Sequence, residues 1–194
     1  QIQQMRQLVD QGVDGLIVCC SNPVALNKTI EYAYGKGVPT ASMTGYLTSE
    51  YAISTSVNYA MGGHRIATWL AEAIGGEGNV VIMEGIPGAS ASDSQHAGMK
   101  AGFAEYPDIT IVAEIAHMWT PQVAQAELQK WLSANTTEVH GFAVQSSGES
   151  GALNALESSG RPMVPMSLGG EIGSFCYWRN NPDYIDTAIY TWPP

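Results

Sequence analysis

The sequence predicts an α/β protein whose strands form parallel sheets covered by helices on both faces. Segments with the alternating or continuous apolar pattern of strands are interleaved with segments whose apolar residues recur at the helical spacing. Glycine, proline or asparagine stands at most of the junctions between them. The segment 16–20 is apolar throughout, which is typical of a strand buried on both faces.

In the first part of the chain, elements are assigned from apolar spacing and from the residues that end each segment. Helix 2–10 keeps its apolar residues on one face. Asn22 and Pro23 are typical of a helix N-cap and first turn, so the second helix is expected to begin there. The predicted order is helix 2–10, strand 16–20, helix 22–34, strand 38–43 and strand 51–57.

The rest of the chain repeats the same alternation. Gly75 and Gly76 end one helix, Pro107 ends another, and Thr120-Pro121 begins a third. The predicted order is helix 59–74, strand 79–83, helix 93–106, strand 109–115, helix 120–134, strand 139–144, helix 148–159, strand 163–168, helix 174–180 and strand 184–190. This alternation indicates right-handed βαβ units and therefore parallel sheets.

The composition argues against several classes of protein. Eight Lys and Arg against eighteen Asp and Glu give a net charge of −10, which repels a phosphate backbone, so nucleic acid is not an expected partner. No apolar run reaches the length of a membrane span. Cys19 and Cys20 lie in the apolar strand 16–20, and no CxxC spacing occurs. We therefore expect buried thiols rather than disulfides, metal ligands or a cofactor site.

Candidate ligand positions follow from the order of the strands. Ligands of open parallel sheets bind beyond the carboxyl ends of the strands. The segments expected there are rich in hydroxyl, amide and carboxylate groups: 21–22, 44–46, 86–93, 117–119, 145–148 and 169–171. Such groups bind sugar hydroxyls, and an aromatic ring such as Trp119 covers the C–H side of a sugar. The sequence therefore predicts a site for a small neutral polyol.

Several of these candidates also have a simpler structural interpretation. Trp119 is equally well explained as a core aromatic, and Asp93 as a charge that complements a helix N-terminus. The loop GIPGASAS resembles a phosphate cradle, but it lacks the P-loop lysine and the GxGxxG spacing. The four histidines stand singly, which favours structural or surface roles over a metal site. No GxSxG elbow is present, and no residue is assigned as catalytic.

Four stretches of the chain resemble the type I periplasmic binding proteins of the ribose-binding group. They are GVDGLIVCCSNPVALNKTIEYAYGKGVPT, GGEGNVVIMEGIPGASASDSQHAGMKAGF with PDITIVAE, HGFAVQSSGESGALNALESSGR, and VPMSLGGE. The resemblance covers nearly the whole chain, in order and spacing. It implies two Rossmann-like lobes joined by crossover strands, with a ligand in the cleft between them and a hinge that closes on it.

The resemblance also implies where the lobes begin and end. Residues 1–57 are expected to form part of lobe 1, 58–190 to form lobe 2, and 191–194 to start the return crossover. Lobe 1 is therefore expected to be incomplete in this chain, and the sequence to be a fragment of a longer mature protein. No signal peptide is visible, since the sequence opens on QIQQMRQLV.

At the positions where the family binds its ligand, this sequence has the family's residue types only in part. The stacking aromatic corresponds to Trp119, and an amide side chain to Gln145, where the family has Asn. The crossover Gln corresponds to Thr191. The Asp-Arg pair of ribose binders corresponds to Thr44-Gly45, which differs from the family.

Two further positions change the charge of the expected site. The sugar-binding Arg of the small-residue loop corresponds to Asp93, and a later Asp falls at Gly170, where the adjacent Glu171 can replace it. A cation is lost and an acid gained, so the expected ligand is neutral or amino-bearing rather than anionic, and ribose itself is not favoured.

Three functional hypotheses follow from the sequence. The first is the solute-binding component of an ABC sugar importer, which implies a membrane permease as partner. Its expected location is the periplasm, or the outside of a single-membrane bacterium on a membrane anchor. The second is the effector-binding domain of a regulator or receptor of the same fold, and the third is an α/β enzyme. An upstream signal peptide would favour the first, whereas a basic helix-turn-helix would favour the second.

Overall fold

The fold is taken from a computed structural model, which describes residues 1–19, 22–168 and 170–184. Contacts divide the chain into two compact units. The first comprises Gln1–Asn58 with Gly88–Ala91, and the second comprises Tyr59–Pro87 with the chain from Ser92 onward. The α/β prediction is confirmed, because each unit contains a parallel sheet joined by helices.

The first unit is a small parallel sheet with two helices. Its elements are α1 (Ile2–Asp10), β1 (Leu16–Cys19), α2 (Asn27–Gly35), β2 (Thr40–Thr44) and β3 (Ala52–Ile53), and the strand order is β1-β2-β3. Leu16 and Val18 of β1 are buried and pack with apolar residues of both helices. Ile17 and Cys19 are exposed, so the predictions of burial on both faces and of a buried Cys19 thiol are wrong. Ile30, in the middle of α2, is fully buried in this cluster.

The second unit is larger and carries helices on both faces of its sheet. Its elements are α3 (Tyr59–Ala73), β4 (Glu77–Glu84), α4 (Ser90–Phe103), β5 (Asp108–Ala116), α5 (Pro121–Ala134), β6 (Gly141–Val144), α6 (Glu149–Ser158) and α7 (Ile172–Asn180). The strand order is β5-β4-β6, all parallel. Within the described residues, no helix has the length and apolar character needed to cross a membrane.

The central position of β4 in the sheet explains why its sequence is apolar without alternation. Val81 and Met83 pack in a cluster with α5 and α6, whereas Val80 and Ile82 pack in a second cluster with α3 and α4. All four side chains are fully buried. This two-sided burial is the arrangement that continuous apolar strands predict.

Two predicted elements of the first unit differ from the structure. Residues after Asn22 form a turn, because the Asn22 side chain accepts hydrogen bonds from the amides of Val24 and Ala25 (both 3.0 Å), and α2 begins at Asn27. The strand predicted at 51–57 is reduced to Ala52–Ile53. Beyond it, Thr55 N–H donates to the Ser42 hydroxyl instead of continuing the ladder.

Two predicted elements of the second unit also differ. Helix α4 begins at Ser90 rather than at residue 93, so the end of the small-residue loop is helical. Of the strand predicted at 163–168, only Met166 pairs with the sheet, as an isolated bridge to Phe142. Pro165 interrupts that segment, and proline has no N–H to give to a ladder. The strand predicted at 184–190 lies, beyond Tyr184, outside the described residues.

One face of the first sheet is apolar and exposed. Ile17, Ala41 and Ile53 form a row across the three strands, and Ile17 and Ile53 are 79% and 66% exposed. Met43, on the same strand as Ala41, is 64% exposed. Parallel sheets are normally covered on both faces, and exposed apolar patches drive association.

We expect this face to make the 194-residue chain self-associate at micromolar concentration. The double substitution Ile17→Lys with Ile53→Lys should shift the chain towards monomer in sedimentation velocity, because adjacent charges oppose burial of the face. Val24→Lys is the matched control, since Val24 is 64% exposed but lies outside the sheet. Equal association of the double variant and the control would show that another surface is responsible.

Candidate functional site

The second sheet brings together the segments that follow its three strands. Glu84 pairs with Ala116, and Met83 pairs with Val144, so the strands end side by side. The residues that come next are Gly85 after β4, His117 to Trp119 after β5, and Gln145 after β6. This carboxyl edge is the position at which parallel sheets bind ligands.

Trp119 lies in a tight turn at this edge. Thr120 N–H donates to His117 O (2.9 Å), and Met118 N–H donates to Gly85 O (3.1 Å). The Trp119 side chain is half-buried and belongs to none of the buried apolar clusters of the described residues. The explanation of Trp119 as a core aromatic is therefore not favoured.

Gly85 makes room for the indole of Trp119. A Cβ atom placed on Gly85 would lie under 3.0 Å from three indole atoms, including Nε1. The ring therefore lies directly against the backbone that leaves β4. Sequence reasoning included Gly85 only as the first residue of the loop GIPGASAS. Its role beneath Trp119 was missed, because nothing in the string MEGIP shows that an aromatic residue after β5 covers it.

Backbone strain is concentrated at the same edge. Among the described residues, three that are not glycine have positive φ: Met118 (55°), Trp119 (50°) and Ser147 (70°). The first two follow β5, and Ser147 follows β6. A positive φ is unfavourable for residues that have a Cβ atom, and backbone strain of this kind clusters at binding and catalytic sites. This clustering is an observation in favour of a binding edge that does not depend on residue chemistry.

Gln145 is fully buried and joins this edge to the start of α4. Its Oε1 accepts from Gly85 N–H (2.9 Å) and from the Ser92 hydroxyl (3.0 Å), while its Nε2 donates to Ser92 O (2.9 Å). These bonds fix the two ends of the small-residue loop. Direct contact of Gln145 with a ligand stays a prediction, and its geometry indicates that it positions the loop.

His117 is fully buried beneath the turn. Neither ring nitrogen has a hydrogen-bond partner among the described residues, and the ring lies against Gly148, where a Cβ would fall under 3.0 Å from Nδ1. Burial lowers the pKa of His117 to about 4, against weaker opposing effects of the backbone polar groups of Gln145 and His117 and of the Glu171 carboxylate. His117 is therefore neutral at pH 7.

The two acidic candidates lie at helix starts. Asp93 is exposed in the first turn of α4. Glu171 precedes α7 and is partly buried, and its carboxylate accepts from the backbone N–H of Ser150 (3.1 Å) and from the Ser150 hydroxyl. Glu171 thus stabilises the N-terminus of α6, as an acceptor at that position does. Ligand contacts of Asp93 and Glu171 stay predictions.

The structure gives no ligand geometry for the two remaining candidates, Thr44 and Thr191. Thr44 is the last residue of β2 in the first unit, and its side chain is not among those described. Thr191 lies outside the described residues. Both stay predictions.

The histidines other than His117 have identifiable partners. His64 contacts Glu105 (2.7 Å), and the His140 ring accepts from Asn79 N–H (3.0 Å). His96 lies between two carboxylates, with Nδ1 3.0 Å from Glu84 and Nε2 2.7 Å from Glu114.

The carboxylate of Glu114 is in contact with two side chains of α4, those of His96 and Lys100. Lys100 Nζ lies 2.9 Å from it and is the main cause of the lowered pKa of Glu114, to which His96 also contributes. These contacts tie α4 to β5, and the contact of His96 with Glu84 ties the helix to β4 as well. Across the described chain, no group of three His, Cys, Asp or Glu side chains is arranged to hold a metal ion.

Comparison with known proteins identifies a family that matches this fold. Residues 1–181 match the periplasmic binding protein domain. The chain is 30% identical over 168 residues to a xylitol-binding protein of Mycolicibacterium smegmatis, covering 86% of this chain and 48% of that protein. It is 26% identical over 179 residues to the ribose import binding protein of Bacillus subtilis, covering 88% of this chain and 55% of that protein. The chain thus spans about half the length of these relatives.

Solved structures agree with this result. A periplasmic solute-binding protein of an ABC transporter from Actinobacillus succinogenes, with bound D-allose, aligns with a TM-score of 0.82 at 28% identity, over 96% of this chain and 68% of that one. The myo-inositol-binding protein of Caulobacter aligns with a TM-score of 0.85 at 20% identity, over 96% of this chain and 65% of that one. At that lower identity the likeness concerns the fold alone.

Proposed function

Because the chain belongs to the periplasmic binding protein family, we propose that it is the solute-binding component of an ABC importer and captures a sugar or polyol. The observation that supports this most directly is the strained turn that holds Trp119 over Gly85 at the carboxyl edge of the second sheet. A half-exposed indole in that position offers an apolar face to the C–H side of a sugar.

The polar groups near this edge favour a neutral ligand. Asp93 is exposed at the start of α4, and the chain carries a net charge of −10. A carboxylate accepts hydrogen bonds from hydroxyl groups but repels an anionic substrate. We therefore propose a neutral or amino-bearing sugar, with Asp93 and Glu171 as acceptors and Thr44 and Thr191 as further contacts.

The proposal includes an arrangement of lobes and a cellular setting. The two compact units are proposed to belong to the two lobes of a binding protein. The partner is then the membrane permease of the importer. The location is the periplasm, or the outer surface of a single-membrane bacterium.

A thermal-shift screen of the full-length protein tests this function. The panel is xylitol, D-ribose, D-allose, myo-inositol, galacturonic acid and ATP. We expect a rise of several degrees with one neutral member and none with galacturonic acid or ATP, because a ligand that binds only the folded state stabilises it.

Trp119→Ala should abolish that shift, since it removes the indole that covers the sugar. Tyr34→Ala is the matched control: Tyr34 is an exposed aromatic that stacks on Tyr51 (centroids 4.6 Å apart) in the last turn of α2. It should leave the shift unchanged. A response to ATP alone, or to no member of the panel, would contradict the proposed function.

A further inference from the structure

The turn that carries Trp119 holds the backbone of Met118 in a left-handed conformation, which is unfavourable for methionine. Thr120 N–H donates to His117 O across the turn, and both central residues, Met118 and Trp119, have positive φ. These are the φ signs of a type I′ turn, in which asparagine and glycine are strongly favoured. A left-handed conformation costs about 1–2 kcal/mol for a residue with a Cβ atom.

The fold itself does not require methionine at this position. The Met118 side chain is 44% exposed and belongs to none of the buried clusters of the described residues. Its backbone N–H donates to Gly85 O (3.1 Å), and its backbone O accepts from the Thr120 hydroxyl (3.0 Å). Asparagine or glycine has the same backbone groups and would make the same bonds with less strain.

We propose that Met118 is a specificity-determining residue of the ligand site, where its thioether extends the apolar surface provided by Trp119. This inference rests on the proposed function. Met118 is the chain neighbour of Trp119 and, like it, lies at the carboxyl edge of the second sheet. A methionine side chain is flexible and polarisable, so it adapts to irregular apolar surface. The ligand class is a sugar or polyol with C–H surface beyond the face that an indole covers.

Three substitutions separate the side chain of Met118 from its backbone strain. Met118→Leu keeps an apolar side chain and the strain. Met118→Ala removes most of the side chain but keeps the strain, because alanine also has a Cβ atom. Met118→Gly removes both. The melting temperature without ligand and the Kd by titration calorimetry are measured on the full-length protein. The ligand is the member of xylitol, D-ribose, D-allose and myo-inositol that shifts the unaltered protein most.

We expect Met118→Ala and Met118→Gly to weaken binding by about tenfold, as loss of a good apolar contact does. Only Met118→Gly should raise the melting temperature without ligand, by about 2–4 °C. Met118→Leu should change neither quantity by much.

Two results would overturn the inference. One is a glycine variant that is no more stable than the unaltered protein, which would remove the argument from strain. The other is an alanine or glycine variant that binds as tightly as the unaltered protein, which would show that Met118 does not contact the ligand. If the unaltered protein binds none of these four probes, the proposed function fails and this inference with it.

Discussion

Gly98→Ala is expected to lower the free energy of unfolding by about 2–4 kcal/mol, a large loss for a single added methyl group. Helices α3 and α4 cross with their backbones in close contact. A Cβ on Gly98 would lie under 3.0 Å from the backbone of Ala60, and a Cβ on Gly63 would lie under 3.0 Å from the backbone of Gln95. Backbone atoms cannot rotate away as a side chain can, so the two helices must separate.

That separation would also affect the candidate site. Helix α4 carries Ser92, which is bonded to the buried Gln145, and the helix is tied to the sheet through His96. Moving α4 away from α3 therefore strains the contacts that fix the small-residue loop. We expect Gly98→Ala to weaken sugar binding as well as stability.

Urea unfolding followed by circular dichroism measures the effect. Gly35→Ala is the matched control, because Gly35 is helical and nothing lies within 4 Å of a Cβ placed there. Alanine should be neutral or slightly stabilising at that position. Unfolding of the two variants at the same urea concentration would contradict the close backbone contact between α3 and α4.

The α/β class could be predicted from the sequence because it depends on apolar periodicity. Strands with continuous apolar residues were placed well: β4, predicted at 79–83, is observed at Glu77–Glu84, and the apolar run 16–20 contains β1. Burial on two faces leaves a strong local signal in β4. The same apolar pattern in β1 does not correspond to burial on two faces, because Ile17 is exposed. Predictions were wrong where side chains compete with the backbone for hydrogen bonds, as Asn22 and Ser42 do.

The candidate site could be predicted only in outline. The carboxyl-end rule placed Trp119 and Gln145 at one edge, which the strand register supports. The rule could not predict that Gln145 is buried and bonded internally, or that Gly85 lies beneath the indole. Those properties arise from contacts between segments that are distant in the sequence, and they leave no local pattern. The left-handed conformation of Met118 is likewise invisible, since methionine is not a residue that indicates it.

Acidification from pH 6.5 to pH 4 is expected to destabilise the protein through His117 by up to about 3 kcal/mol. Burial lowers the pKa of His117 to about 4 in the folded protein, whereas an unfolded chain binds this proton near the ordinary value of 6.5. Between those values the unfolded state holds more protons than the folded state. Stability therefore falls as the pH falls through this window, and above pH 6.5 the effect is absent.

His117→Leu tests this prediction because leucine cannot titrate and has a similar volume. At pH 7 the variant should be as stable as the unaltered protein or more so, since the ring nitrogens of His117 have no hydrogen-bond partner among the described residues. Urea unfolding at pH 7 and pH 4.5 then gives the free-energy difference between the two proteins at each pH. We expect that difference to move in favour of the variant at pH 4.5.

Other groups that titrate contribute to both proteins alike and cancel in this comparison. His117→Asn is a second variant that cannot titrate, in case leucine is poorly accommodated against Gly148. If neither variant changes the pH dependence, His117 is not held neutral by burial. If both do, sugar binding by the folded protein should stay unchanged over most of this window, because the His117 imidazole in the folded protein stays neutral until the pH nears 4. Only near pH 4 does an imidazolium form beneath the turn of Trp119, whose closing hydrogen bond His117 O accepts.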